Sequence, residues 1–231
     1  MLDGIKRWLS GSSGGKESGH VGADAFASWS RASQVHVRVA REGEGVIVDG
    51  KADDIPWRLE WGASQRPYVL GNELRIRGEI PLPGELQVIV LNRVLQEAIE
   101  KTMFEQFVEG VQTRIDTETP AEMRWVVMYP KLKGSELGAL RDRYAAAASM
   151  KPWLQAWLSG ALGQALASLK IDPATAFVLM IGRSKITLRT EVDEASPATI
   201  EPHLRVFETA LREARRVMVE GAGDKPAGGG A

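Results

Sequence analysis

Hydrophobic positions in this chain first alternate with polar ones and later recur at helical spacing, and that change of period outlines a fold. Val35, Val37 and Val39 alternate with His36 and Arg38, the signature of a half-buried strand. Glu42-Gly43-Glu44-Gly45 reads as a turn, and Val46-Ile47-Val48 as the returning strand. Asp49-Gly50 and Asp53-Asp54 mark the next connection, where the aspartates act as turn formers. In the strand that follows, Trp57, Leu59 and Trp61 point to one side, and Arg58 and Glu60 to the other. Tyr68-Val69-Leu70 reads as a short strand and Gly71-Asn72 as a turn. Leu74 and Ile76 then point inward while Glu73, Arg75, Arg77 and Glu79 point outward. The pattern predicts an antiparallel meander over about residues 35–80, greasy on its back and charged on its front.

Pro81 to Gly84 closes the meander, and a helical period takes over from about 85 to 109. Leu91, Val94, Leu95, Ile99, Met103, Phe104 and Phe107 share its apolar side; Glu97, Lys101 and Glu105 suit a solvated face. This helix is expected to pack on the apolar side of the meander. Residues 112–117 alternate weakly, as a strand would. Thr119-Pro120-Ala121-Glu122 has the spacing of a capping box and predicts a helix through Met128. Further helices are expected over 135–149 and from Pro152 to Leu169, where Gly160 and Gly163 point to close helix packing. Phe177–Ile181, Gly182-Arg183-Ser184 and the alternating residues after it predict a hairpin at about 176–191. A last helix covers about 199–219, with Leu204, Phe207, Leu211, Ala214 and Met218 facing the core. The fold class is α+β.

Both ends differ from this middle. Leu2, Ile5 and Leu9 would share one helical face with Trp8 at its border, opposite Lys6 and Arg7. Residues 11–22 are a Gly- and Ser-rich linker, and 221–231 read as a disordered tail. The expected organisation is a tethered amphipathic segment (1–22), one α+β domain (23–220) and the tail. If the domain divides, its two subdomains meet near 110–135. The short N-terminal helix has three fates open to it: weak, reversible contact with a membrane surface, docking on a partner, or fraying.

Composition narrows the function by exclusion. The 231 residues are 44% hydrophobic and 26% charged, with a formal net charge of -1, so nothing global favours nucleic acid. There is no cysteine, which removes thiolate metal sites, disulfides and a cysteine nucleophile. With no signal-peptide pattern and no spanning run, a cytoplasmic location is expected. His20, His36 and His203 stand far apart, and none has a ligand partner at i+2 to i+4, so no metal or other cofactor is expected. Gly43-Glu44-Gly45 and Gly11-Ser12-Ser13-Gly14-Gly15-Lys16 lack the strand-to-helix setting and the Lys-Ser or Lys-Thr of a phosphate loop.

What is left is the charged front. Arg58, Arg66, Arg75 and Arg77 offer guanidinium forks suited to a carboxylate or phosphate, with Glu60, Tyr68 and Glu73 among them. The leading expectation is a non-enzymatic binding module that presents this face to another protein or a small anion. The alternative is an enzyme that runs acid–base chemistry on Glu60, Arg66, Tyr68 and Glu73.

Overall fold

The computed structural model describes residues 23–39, 45–108 and 119–223. The expectations for 1–22, for a strand at 112–117 and for residues 224–231 of the tail lie outside these. Eight antiparallel strands form one open sheet in the order β1-β2-β3-β4-β8-β7-β5-β6. They are β1 (His36–Val39), β2 (Val46–Ala52), β3 (Ile55–Ala63), β4 (Asn72–Glu79), β5 (Val88–Asn92), β6 (Tyr144–Ala148), β7 (Phe177–Gly182) and β8 (Lys185–Glu191). Seven α-helices accompany them among the described residues: α1 (Ala23–Ser33), α2 (Arg93–Val108), α3 (Ala121–Met128), α4 (Gly134–Leu137), α5 (Lys151–Leu158), α6 (Ala161–Ser168) and α7 (Pro197–Gly223). The α+β class and the meander, hairpin and C-terminal helix stand as the pattern indicated.

The strand parity read from the sequence holds. Trp57, Leu59, Trp61, Leu74 and Ile76 are all buried on one face, in a core continued by Leu188, Leu179 and Val90. Each such side chain contributes about 1.5–3 kcal/mol by leaving water. Helix α7 lies over this face with Leu204, Phe207, Leu211 and Ala214, and α5 and α6 add Leu154, Trp157, Leu162 and Leu166. Three of the buried indoles keep their polar edges satisfied, whereas the Nε1 of Trp29 and of Trp153 has no partner. Trp61 donates to the Val192 carbonyl at 2.7 Å, Trp157 to the Ala210 carbonyl at 3.0 Å, and Trp57 to Glu208 at 3.1 Å. Gly50 pairs with Trp57, whose indole occupies the space a Cβ at Gly50 would need.

Several expectations are corrected. Helix α2 does not pack on the Trp57 face. Its Leu95, Ile99 and Met103 join Ile89, Leu91, Ala145, Ala147 and Val178 on the opposite face, and α7 takes the Trp57 side. Residues 88–92 are strand, not helix: Val88, Ile89 and Val90 are β-branched, the run is buried on both sides, and Leu91 matches the helical period of Leu95 by coincidence. Val94 and Phe104, assigned above to the apolar side, are exposed.

The 135–149 helix is cut short: α4 ends at Leu137 and a single 3-10 turn follows over Gly138–Leu140. Its second half, Tyr-Ala-Ala-Ala-Ala, is the strand β6, despite alanine's helix preference. Helices press on both sides of it: Ala146 and Ala148 belong to one core, Ala145 and Ala147 to the other, and small side chains let both approach. The 152–169 helix is two, α5 and α6, broken at Gly160, where a Cβ would run into the Glu213 carboxylate. The last correction is at the ends of elements: 68–70 is loop rather than strand, Asp49 lies within β2, and α7 runs on to Gly223.

Candidate functional site

The second face of the sheet changes character from one end to the other. One row of cross-strand neighbours runs Arg38, Ile47, Glu60, Arg75, Arg189, Val178, Leu91, Ala145. The row beside it runs His36, Asp49, Arg58, Arg77, Thr187, Met180, Ile89, Ala147. The apolar half, over β7, β5 and β6, is covered by α2 and α3. The polar half, over β1 to β4 and β8, carries the charged front.

Each candidate side chain has a definite place on it. Arg58 donates to Asp49 at 2.7 Å, and Arg38 reaches the same carboxylate at 2.6 Å. The Arg58 bond holds Asp49 below the usual carboxylate range. Glu60 accepts from Arg75 and, at 3.0 Å, from Arg77. Burial works to raise its pKa, but the Arg75 bond and the charges of Arg75, Arg77 and Arg58 outweigh it, so Glu60 stays ionised. Glu73, 2% exposed, accepts from Arg189 and from the backbone N–H of Gln65.

Arg66 and Tyr68 sit at the border with the covered half, in the loop between β3 and β4. Both donate to Glu122 of α3, Tyr68 at 2.8 Å. Glu122 is 2% exposed; burial opposes its charge, but the Arg66 bond and charge win and keep its pKa below the ordinary range. Tyr68 is pushed well above the normal tyrosine value by burial and by the Glu122 charge, which Arg189 and Arg66 only partly offset. The capping box expected at Thr119–Glu122 therefore does not form. Pro120 is the N-cap, no side chain caps the helix, and Glu122 turns inward to the arginine.

Three members of this network were not among the sequence candidates: Gln65, Glu122 and Arg189. Arg189 falls within the alternating run of the predicted hairpin, but its pairing with Arg75 joins strands more than a hundred residues apart. Arg75 and Arg189 are direct cross-strand partners, and so are Arg58 and Arg77. Like charges placed opposite one another on a sheet are destabilising. Arg75 and Arg189 are 9% and 6% exposed, and the Nε of each has no hydrogen-bond partner.

Chemically this is a surface of fixed guanidinium groups with ionised carboxylates between them. Glu60 and Glu73 lie on the same face, each bonded to arginine. Among the described residues no group of three or more His, Asp and Glu side chains is placed to hold a metal ion, and no helix is long and apolar enough to cross a membrane. His36 is exposed at the edge strand; His203 is buried in α7, its Nδ1 2.9 Å from the Thr199 carbonyl.

In class the chain is an α+β protein built on an open, eight-stranded antiparallel sheet with one face closed by a long C-terminal helix. Its fold resembles that in a crystal structure of the mycobacterial trehalose monomycolate transport factor A, TtfA, at 9% identity and a TM-score of 0.47, over 84% of this chain and 94% of that one. No protein-family model matches the sequence, and neither does any curated protein.

Proposed function

We propose that the protein is a non-enzymatic binding module and that the uncovered, charged half of its second sheet face holds an acidic segment of another protein. The observation that supports this reading is the pair of directly opposed arginines, Arg58 with Arg77 and Arg75 with Arg189. Such placements cost stability in a sheet, and an anionic partner would offset that cost. Arg58 and Arg77 project into solvent at the centre of the face, with side chains about half exposed. Arginine forks suit carboxylates because two parallel N–H donors match two oxygens. The acid–base alternative finds little in the same geometry: Glu60 and Glu122 are held ionised and Tyr68 is held protonated, so none is poised to exchange a proton near neutral pH.

The test is retention of partners from native lysate by the intact protein and by an Arg58→Glu/Arg77→Glu double variant, both checked for folding by circular dichroism. A protein retained by the first and lost by the second, with salt-sensitive binding, is the expected result. Equal retention by both would reject this face as the interface.

A further inference from the structure

The network at the centre of the charged half has a weak point. Arg75 uses one guanidinium nitrogen on the Glu60 carboxylate and another on the side-chain amide oxygen of Gln65. Gln65 is an exposed loop residue, and its amide is the one neutral side-chain acceptor here, where Glu60, Glu73 and Glu122 accept as carboxylates. Beside Arg75 stands its register partner Arg189, more than nine-tenths buried and bonded to Glu73, with its Nε unpartnered like that of Arg75. Two adjacent, buried cations, each with an unpartnered Nε, thus have an exposed side chain as a partner of one of them.

We infer that Arg75 and Arg189 form the anchor point of the binding face, where one carboxylate of an acidic segment displaces the Gln65 amide. This rests on the binding reading above and adds the residue-level contact to it. A carboxylate brings a full opposite charge to the guanidinium, which the neutral amide oxygen does not, so a carboxylate outcompetes the amide. It also adds a further negative charge beside two opposed arginines whose carboxylates are in part shared: Arg75 is paired with Glu60, which also serves Arg77, and Arg189 with Glu73. The β3–β4 loop is pinned at both sides of Gln65, by the Glu73 bond to the Gln65 N–H and by the Arg66 bond to Glu122, so only the side chain has to move.

The inference makes an unusual demand: removing a polar side chain should improve binding. Gln65→Ala deletes the internal competitor while leaving the loop's backbone bonds in place. Titration of the intact protein with a tetraglutamate peptide, and separately with acetate and inorganic phosphate, is followed by arginine-selective Nε–H NMR spectra. The expected result is that the Arg75 and Arg189 Nε–H signals shift with the peptide and that Gln65→Ala tightens its binding severalfold. Arg75→Gln should weaken it tenfold or more. If acetate and phosphate shift the same two signals as strongly as the peptide, the site takes free oxyanions and the peptide-anchor assignment is overturned. If the peptide binds but Gln65→Ala changes nothing and only Arg58 and Arg77 respond, the anchor is elsewhere, and the binding reading survives without it. If the peptide does not bind at all and no partner is retained from lysate, the reading and the anchor fall together.

Discussion

The two faces of this sheet are held by different physics. On one, α5, α6 and α7 bury a continuous apolar layer, and the indole N–H groups of Trp57, Trp61 and Trp157 within it find carbonyl or carboxylate partners. On the other, half the surface has an apolar layer under α2 and α3 and half is held by ion pairs through Arg66, Arg75 and Arg189. The half-open face keeps charged groups in place by ion pairs within the sheet and with α3.

The comparison can be broken at the closed face first. Phe207→Ala removes a fully buried ring and should cost about 3–5 kcal/mol in urea unfolding. A loss under about 1 kcal/mol would mean that this layer is far less tightly packed than its burial indicates. Glu73→Gln comes next: it leaves Arg189 charged and buried without its carboxylate, at about 3 kcal/mol. Replacing both, Glu73→Leu with Arg189→Met, should recover most of that loss, because an apolar pair needs no desolvation of charge. If the double replacement is no better than the single one, the pair holds the fold as well as the surface.

Acid should act unevenly. Glu122 has its folded-state pKa below the ordinary glutamate value, so its contribution is full above that value and disappears as the pH falls through the lower, folded one. Glu122→Gln should flatten this acid arm of a stability–pH profile. His203 adds a window nearer neutrality. Burial lowers its pKa, so below the ordinary histidine value the unfolded chain takes up a proton before the folded one does, and stability declines until the folded group also titrates. His203→Gln should remove that slope. The smallest effect belongs to Arg77→Ala, an exposed partner of Glu60: about 0–1 kcal/mol of stability, with its consequence visible in binding instead.

Strands that alternate strictly were legible in the sequence, since Trp57 to Trp61 and Leu74 to Arg77 can satisfy only one register with a buried side. The positions of the candidate arginines on a common face followed from the same parity. Strands buried on both faces carry no such alternation, which is why Val88–Asn92 and the alanines of 144–148 read as helix. Which helix covers which face depends on long connections that no local pattern encodes. Glu122 was concealed for a related reason: its spacing from Thr119 is that of a cap, and only tertiary contact with Arg66 and Tyr68 redirects it.

The strand order has a consequence for how the chain is made. The meander ends at Glu79, but the strand that pairs with β4, beginning at Lys185, is synthesised about a hundred residues later. At roughly 5–20 residues per second, the N–H and C=O groups along that side of β4 wait on the order of 5–20 s for their partner. During that interval a nascent meander has an unpaired edge beside an apolar face that α7, the last helix, has not yet reached. Slowing synthesis after β4, or crowding several chains on one message, should therefore raise the fraction lost to aggregation, and holdase chaperones should lower it.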